Sequence, residues 1–454
     1  MQSMFNFEPL LVFGFLSIML LIGIVLRSKI SFLQKFLFPS CLVGGFVAMF
    51  LTNLRVVDFE FSTFETFAYH FFNISFISVG FTRDDNNGAG ANRRKGFLKG
   101  PLWMALVQGT VFPIQAIIGG LTVIIFGLMG TEIFQTFGFL MPLGFNEGPG
   151  QALSFGKVWE GMGFEHATTI GLTFASLGFF FAFLVGVPIC NWGIRKGLST
   201  FSPKDLPREI LTGIIPENMK GESGGELKLH SGNVDSMAFQ AALVGLAYVI
   251  TYLLVDSVGY IFGGDVAKML WGFFFIFGLG VAILIKWIME KMGVAYLADP
   301  GVQRRITGWS IDFLIVATVA AIQLLVVWKF FLPIFLISFI GGILTTFIVF
   351  RLGSRLPAYN LERMVSIYGC LTGTLSSGLL LLRIVDPDLK TPVALEVALM
   401  NIFAIPIIFT CLLMVNAPLW WGWSLGLTLA AFGGMMVLSF VLMKVFGLIT
   451  EPKF

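Results

Sequence analysis

Two stretches of this sequence place polar, ion-binding residue types inside apolar surroundings. The first, 140–156, reads LMPLGFNEGPGQALSFG, and the second, 366–386, reads SIYGCLTGTLSSGLLLLRIVD. Side-chain oxygens at such breaks suit Na⁺, and free backbone N–H groups at the ends of half-helices suit an anion. The residue types therefore predict a site for a cation and a small anion. Its candidate members are Asn146, Glu147, Gly148, Gly150, Gln151, Thr372, Thr374, Ser376 and Ser377.

The composition indicates that these stretches lie in a lipid bilayer. Hydrophobic residues make up 56% of the 454 residues, charged residues make up 12%, and the mean hydropathy is +0.88. Soluble domains carry roughly a quarter charged residues, so we expect an all-α polytopic membrane protein. The four Cys residues fall in apolar runs without metal-ligand spacing, and neither disulfides nor a transition-metal site is expected.

The polar breaks need protein around them, because lipid offers no hydrogen-bond partner to free backbone N–H and C=O groups. Two interrupted apolar segments in corresponding positions of two halves are typical of the binding site of a secondary transporter built from inverted repeats. We interpret each stretch as a re-entrant hairpin, which enters the membrane and returns to the same side. The two hairpin tips are predicted to meet near the midplane.

The apolar runs predict two halves of five spans each, with one hairpin per half. First-half spans lie at about 9–27, 33–51, 62–80, 101–127 and 165–193, with hairpin 1 at 134–158. Second-half spans lie at about 236–255, 266–288, 306–327, 330–350 and 391–416, with hairpin 2 at 362–384. The expected units are a first repeat (1–196), a cytoplasmic linker (197–235), a second repeat (236–417) and an additional C-terminal span with its tail (418–454), the span itself at 422–447.

The positions of Lys and Arg predict the orientation of the chain. With an external N-terminus, all 29 of these residues fall on the cytoplasmic side except Arg55, Lys157, Lys268 and Lys329, as the positive-inside rule requires. If either hairpin crossed the bilayer fully, every later loop would change sides and the bias would disappear. Hairpin 1 is therefore predicted to enter from outside and hairpin 2 from the cytoplasm. An odd number of spans per half makes the second half an inverted copy of the first.

Four segments of the chain resemble the bacterial sodium/glutamate symporter family. Residues 141–196, from MPLGFNEGPG to NWGIRK, are similar to that family's first re-entrant loop and following span. Residues 368–407, from YGCLTGTLSS to NIFAIPI, are similar to its second loop and span. FPSCLVGG (38–45) and FISVGF (76–81) resemble motifs of its second and third spans.

This resemblance implies sodium-coupled symport of a glutamate-like substrate. It further implies an elevator-like movement of the hairpin-bearing spans against a scaffold formed by the first two spans of each half, and a homodimer. The family has ten spans, so the last span of this chain is additional. The chain departs from the family pattern at Phe145, Asn146 and Glu147, where the family has a paired glycine and a histidine.

Each candidate residue has a predicted role and a simpler structural interpretation. Small residues also allow hairpins to pack closely, and polar residues on spans also form interhelical hydrogen bonds. Glu147 is either a coupling ligand for Na⁺ or a proton, or a solvated external acid. Asp312 and Glu396 either form a cation vestibule or include a partner of Arg383. The predicted substrate-binding residues are Asn146, Gly148, Gly150, Gln151, Thr374, Ser376 and Ser377, and the predicted sodium-binding or coupling residues are Glu147, Thr372, Asn73, Ser78, Asp312 and Asn401.

The sequence favours a sodium-coupled symporter for an amino-acid or organic anion in a bacterial-type cytoplasmic (inner) membrane, with an external N-terminus and a cytoplasmic C-terminus. Na⁺ is the expected coupling ion and no covalent cofactor is expected. The expected partners are the small anion, the lipid bilayer and a second copy of the chain, and not nucleic acid. The apolar segments place no Lys or Arg at mid-depth to bind a second substrate carboxylate.

Two other function classes remain open from the residues alone. A cation/proton antiporter or channel favours paired Asp groups on crossing broken helices, where this chain has hydroxyl-rich hairpins. A membrane enzyme or sensor is more remote, because the three His residues are scattered and no long soluble segment is present in the sequence.

Overall fold

The described part of the computed structural model consists of helices and turns, without a β-strand. It comprises residues 7–82, 98–201, 208–217, 219, 224–230, 232–263, 270–387 and 389–453. The prediction of an all-α polytopic membrane protein is confirmed. Several residues used in the orientation argument lie outside the described residues, namely Arg83, Arg93, Arg94, Lys95, Lys204, Lys220 and Lys268.

The first part of the chain contains hairpin 1 between two long helices. Its helices are α1 (Glu8–Lys29), α2 (Ser31–Lys35), α3 (Ser40–Asn53), α4 (Phe61–Phe81), α5 (Lys99–Leu128), α6 (Leu140–Phe145), α7 (Pro149–Glu160), α8 (Ala167–Phe180), α9 (Gly186–Arg195) and α10 (Arg208–Thr212). Hairpin 1 consists of α6 and α7. A π-helical turn joins α8 to α9, so these two helices form one interrupted span.

The second part contains hairpin 2 and ends in one further helix. Its helices are α11 (Ser236–Phe262), α12 (Phe274–Lys291), α13 (Pro300–Ala320), α14 (Leu324–Lys329), α15 (Phe331–Gly353), α16 (Asn360–Thr372), α17 (Leu375–Val385), α18 (Val393–Trp420) and α19 (Leu425–Val445). Hairpin 2 consists of α16 and α17. Helix α19 corresponds to the additional predicted span.

Within the described residues, seven helical segments are long and apolar enough to cross a membrane: α1, α5, α8 with α9, α11, α15, α18 and α19. The remaining predicted spans form α3, α4, α12 and α13, which are shorter or more polar. Contacts link these four helices in the order α3, α13, α4 and α12. Helix α4 packs against α12 and α13, and α3 packs against α1 and α13.

Helices α1 and α3 cross with their backbones in contact because glycine occupies the crossing point. A Cβ atom on Gly23 would lie 2.0 Å from Ser40 O, and one on Gly44 would lie 2.2 Å from Met19 O. Small residues that permit close approach are typical of helix pairs in membranes. Larger side chains at either glycine would push the two helices apart.

Helix α5 is the centre of the part that carries the hairpins. It packs against α15, α18 and α19, and it also contacts α6 of hairpin 1 and α16 of hairpin 2. Its backbone meets the turn before α6, where a Cβ atom on Gly119 would lie 2.1 Å from Gly138 O. One helix therefore has contacts with both hairpins.

The additional helix α19 lies along α5. Ser439 Oγ donates a hydrogen bond to Gly109 O at 3.1 Å. The fully buried Phe432 lies beside Phe112, with ring centroids 6.3 Å apart. Helix α19 is thus packed against α5, the helix that also contacts both hairpins.

The C-terminal segment after α19 hydrogen-bonds to the turn between α15 and α16. Thr450 N donates to Arg355 O at 2.7 Å, and Lys453 N donates to Ser354 O at 2.9 Å. The Lys453 ammonium also donates to Pro357 O. The turn that leads into hairpin 2 therefore has its carbonyl groups paired with the end of the described chain.

Candidate functional site

Hairpin 1 is broken between α6 and α7 by backbone geometry that requires glycine. Gly148 has φ +88° and ψ −180°, a region that is essentially restricted to glycine. Pro149 follows at the first helical position, where its missing N–H group costs no hydrogen bond. The N-terminus of α7 and the C-terminus of α6 consequently lie together at the tip of hairpin 1.

Hairpin 2 is broken at Gly373 and Thr374, between α16 and α17. Thr374 is the N-cap of α17, and its Oγ1 accepts a hydrogen bond from Ser377 N at 3.4 Å. The two helices pack tightly, since a Cβ atom on Gly369 would lie 2.7 Å from Gly378 Cα. These small residues allow close packing within the hairpin, which is the structural interpretation of part of the predicted set.

The tips of the two hairpins touch. A Cβ atom on Gly148 would lie 3.2 Å from Thr374 Cγ2 and 3.3 Å from Gly373 O. The end of α16 also contacts α8, because a Cβ atom on Gly178 would lie 2.5 Å from Thr372 O. The N-terminal ends of α7 and α17, which come from different parts of the chain, are thereby brought to one place.

Glu147 lies at this junction and is held by two amide side chains. Its Oε1 accepts a hydrogen bond from Gln108 Nε2 at 3.1 Å, and its Oε2 accepts one from Gln151 Nε2 at 3.0 Å. Gln108 Nε2 also donates to Asn146 Oδ1 at 2.9 Å. The three amide residues are buried, whereas Glu147 is partly exposed. We call these four residues the tip cluster.

Several buried polar atoms of the tip cluster have no hydrogen-bond partner among the described residues. They are Gln108 Oε1, Gln151 Oε1 and Asn146 Nδ2. Asn73 Oδ1 on α4 is likewise buried without a hydrogen-bond partner. None of these side chains is more than 8% exposed. Leaving such an atom unpaired costs about 1–3 kcal/mol, so a ligand that supplies the missing partners gains binding free energy here.

Two glutamines of α5 that were not predicted as site residues also contact the hairpins. Gln108 and Gln115 are seven residues apart, which places them on one face of the helix about 10 Å apart along its axis. Gln115 Nε2 donates to Thr345 Oγ1 of α15 at 3.0 Å and to Leu371 O of α16 at 3.3 Å. Helix α5 thus contacts hairpin 1 through one glutamine and hairpin 2 through the other. The available signal was two glutamines two turns apart in an otherwise apolar span.

The remaining predicted residues of the hairpins differ in exposure and in their hydrogen-bond partners. Thr372 Oγ1 donates to Tyr368 O of its own helix at 2.8 Å. Ser376 is exposed and Ser377 is buried next to the Thr374 cap. Gly150 lies against α4, because a Cβ atom there would be 2.0 Å from Phe72 Cδ2.

Among the predicted residues on the spans, Asn73 follows Phe72, which lies against Gly150 of hairpin 1. Asn73 Nδ2 donates to Tyr69 O at 2.9 Å. Ser78 Oγ lies 2.7 Å from Gln303 Oε1, at the contact of α4 with α13. Asp312 is exposed and accepts a hydrogen bond from the Cys41 thiol of α3, and Asn401 is exposed on α18. None of the hydrogen bonds described for Ser78, Asp312 or Asn401 reaches a hairpin tip.

Ion pairs lie on the outer parts of both hairpins. Lys157 of α7 contacts Glu65 of α4, with Nζ and Oε2 at 2.6 Å. Arg363 of α16 forms two hydrogen bonds to Glu396 of α18, Nε to Oε2 at 2.7 Å and Nη2 to Oε1 at 2.6 Å. Glu396 therefore pairs with Arg363, whereas Arg383 lies exposed on α17.

A polytopic helical protein in which two interrupted hairpins touch beside a carboxylate has the architecture of a secondary transporter. The sodium/glutamate symporter family model matches residues 5–361, which is more than half of the chain, and the chain belongs to this family. It is a sodium-coupled secondary transporter and not an enzyme. No curated protein matches the chain. The family match ends just inside α16, so the description of hairpin 2 rests on the structure.

Proposed function

We propose that this transporter carries an amino-acid or organic anion together with Na⁺, with both bound where the two hairpin tips touch. The observation that carries the proposal is the contact of Gly148 with Gly373 and Thr374 beside the Glu147 carboxylate. Helix N-termini attract anions, and free carbonyl and carboxylate oxygens attract cations. A glutamate-like substrate is what the family suggests.

The residue roles follow from this placement. In the proposed site, Asn146 Nδ2 and the backbone N–H groups after Gly148 and Thr374 bind the substrate carboxylate, and Gln151 Oε1 accepts a hydrogen bond from a donor group of the substrate. Glu147 is the coupling residue for Na⁺, and Asn73 supplies an unpaired oxygen from α4. Gly150, Thr372, Ser376 and Ser377 shape the hairpins around the site, while Ser78, Asp312 and Asn401 remain candidates for a separate position on the Na⁺ path.

We further propose that the chain is an inverted repeat with the predicted unit boundaries. The contact of α3 with α13 corresponds, when the halves are exchanged, to the contact of α12 with α4, and both pairs are in contact. Likewise α1 packs on α3 as α11 packs on α12. This correspondence supports an elevator-like mechanism, in which the hairpin-bearing helices move against α1, α3, α11 and α12. The proposed setting is a homodimer in the inner membrane, with the N-terminus external and the C-terminus cytoplasmic.

Uptake into proteoliposomes tests the proposed function. We expect an inward Na⁺ gradient to drive accumulation of at least one amino-acid or organic anion from a labelled panel. A tenfold gradient of one coupled ion supplies about 1.4 kcal/mol, enough for about tenfold accumulation. The measurement is initial uptake and steady-state accumulation with Na⁺ or with K⁺ outside.

Uptake driven equally well by a pH gradient without Na⁺ would indicate proton coupling through Glu147 and contradict the proposal. Lack of Na⁺-dependent uptake of every compound in the panel, with the protein inserted, would contradict it as well. Liposomes without protein are the control for leakage.

Single-cysteine labelling tests the opposite insertion of the hairpins. With Cys at Glu132 or Glu165, at the two ends of hairpin 1, we expect a membrane-impermeant thiol reagent to react from outside. With Cys at Ala358 or Lys390, at the two ends of hairpin 2, reaction should require opening of the membrane. All four positions are exposed. The native Cys41, Cys190, Cys370 and Cys411 are buried, and their replacement by Ala provides the background.

Two labelling results would contradict the opposite insertion of the hairpins. If the two ends of one hairpin react from opposite sides, that hairpin crosses the membrane and the inverted repeat is wrong. If all four positions react from the same side, the hairpins are not oppositely inserted.

A further inference from the structure

We propose that Gln108 of α5 is a positioning residue that links Na⁺ binding to substrate binding at the hairpin tips. Its amide holds Glu147, the proposed coupling residue, and Asn146, a proposed substrate-binding residue, in one arrangement. This role rests on the proposed function, which places the cation and the substrate carboxylate at these two neighbours. It goes beyond that function by naming the side chain through which one ligand affects the other.

A single amide group of Gln108 donates to both neighbours. Its Nε2 lies 2.9 Å from Asn146 Oδ1 and 3.1 Å from Glu147 Oε1. A side-chain amide has two N–H donors, so each neighbour can receive its own hydrogen bond. Gln108 belongs to α5 and is 8% exposed. A helix outside hairpin 1 therefore fixes two consecutive side chains of its tip.

The orientation of the Asn146 side chain depends on this contact. Among the described residues, its one side-chain hydrogen bond comes from Gln108, and Nδ2 at the other end of the amide is buried without a partner. The last torsion of an Asn side chain is broad and roughly two-fold. Gln108 selects the orientation in which Oδ1 faces α5 and Nδ2 is left as a donor. The reverse orientation would turn an oxygen toward the substrate carboxylate, where it cannot donate.

The Gln108 amide also leaves an oxygen for a cation. Its Oε1 is buried without a hydrogen-bond partner among the described residues, which costs about 1–3 kcal/mol. A carboxylate has about four lone-pair positions, and the described hydrogen bonds to Glu147 come from two amides. Both side chains therefore keep acceptor capacity. In this proposal Na⁺ binds at Glu147 with Gln108 Oε1 as a further ligand.

Both ligands favour the same orientation of the Gln108 amide. Na⁺ binds Oε1 when Nε2 faces the tip of hairpin 1, and the substrate carboxylate binds Asn146 Nδ2 when Nε2 holds Oδ1. A ligand shifts an equilibrium only by its differential affinity for the two states, and here the two ligands prefer the same state. Na⁺ should consequently raise the affinity for the substrate, and by linkage the substrate should raise the affinity for Na⁺ by the same factor.

Uptake kinetics in proteoliposomes test this role with labelled glutamate as the probe, or with the fastest compound of the panel if glutamate is not taken up. In the wild-type protein, we expect the half-saturating probe concentration to fall about tenfold or more between low and saturating external Na⁺. Gln108→Met nearly keeps the length of the side chain and removes the amide, so this fall should shrink to about twofold or less. The maximal rate should change less than this ratio does.

Two further variants separate positioning from a general effect on packing. Gln115→Met removes another amide of α5, which hydrogen-bonds to Thr345 and to Leu371 O, and it should keep the wild-type effect of Na⁺ even if its rate falls. Asn146→Ala already lacks Nδ2. Adding Gln108→Met to it should therefore raise the half-saturating probe concentration at saturating Na⁺ by less than about twofold, whereas side chains that act independently would give additive effects.

Three results would overturn the inference while Na⁺-driven uptake, and with it the proposed function, stays intact. They are a wild-type half-saturating concentration that does not depend on Na⁺, a Na⁺ effect in Gln108→Met as large as in Gln115→Met, and additive effects in the double variant. If Gln108→Met does not insert, Gln108→Asn decides, because its amide is one methylene too short to hold both neighbours. Failure of both variants to insert would assign Gln108 a folding role and also overturn the inference. Lack of Na⁺-driven uptake of every compound by the wild-type protein would refute the proposed function itself.

Discussion

Replacing Gly148 by Ala is expected to lower the rate of Na⁺-driven uptake by about tenfold or more while the protein still inserts. A non-glycine residue held at φ +88° carries strain of about 1–3 kcal/mol. The added Cβ atom would also lie 3.2 Å from Thr374 Cγ2 and 3.3 Å from Gly373 O. The two tips must then separate by a few tenths of an ångström, and about 1.4 kcal/mol lost at the rate-limiting barrier is a tenfold loss of rate.

Gly163→Ala is the matched control for this variant. Gly163 has φ +97°, and a Cβ atom there has nothing within 4 Å. It therefore shares the positive φ of Gly148 without the contact between the tips. Initial uptake per inserted molecule should fall much more in Gly148→Ala than in Gly163→Ala. Equal activity of the two variants would show that the contact of the tips does not matter for transport.

Replacing Arg363 by Met is expected to destabilise the folded protein strongly, because it leaves a buried carboxylate without its cation. In Arg363→Met, the Glu396 carboxylate, which is 1% exposed in its side chain, loses the two hydrogen bonds that Arg363 donates to it. Breaking a buried ion pair by removing one partner costs about 3–5 kcal/mol in the free energy of unfolding. Unfolding of the purified protein in detergent, followed by heat or denaturant, measures this loss.

The double variant Arg363→Met with Glu396→Leu separates the loss of the pair from the isolated charge. Replacing both buried partners by apolar residues is often neutral or stabilising, so the double variant should recover most of the lost stability. Lys228→Met is the exposed control, because its salt bridge to Glu226 lies at the surface, where such pairs contribute little. A double variant as unstable as Arg363→Met would contradict this explanation.

The architecture could be predicted because it depends on patterns that extend over whole segments. Apolar runs, glycine-rich breaks and basic loops are properties of many residues at once, and a few errors of boundary do not change the outcome. The break at Gly148 was located in this way, since glycine and proline directly after an acid leave little choice of backbone.

The members of the site were harder to predict because they are joined by contacts between distant parts of the chain. Glu147 was identified because an acid in an apolar stretch is conspicuous. Gln108 was not, since its importance comes from a hydrogen bond to a residue 39 positions away. Ser78, in contrast, was predicted as an ion ligand because of its hydroxyl group. In the structure this hydroxyl group binds Gln303 between two helices. A polar side chain on an apolar helix has many possible partners, and the sequence does not choose among them.

The C-terminal segment also constrains the order in which the protein is completed during synthesis. The turn at Ser354 to Pro357 leaves the ribosome well before its hydrogen-bond partners, which follow 95 residues later in the case of Thr450 and Arg355. Helices α18 and α19 must both be inserted before those partners reach the turn. The base of hairpin 2 is therefore finished by the last part of the described chain to be made, and a ribosome that stalls within α19 leaves that base incomplete.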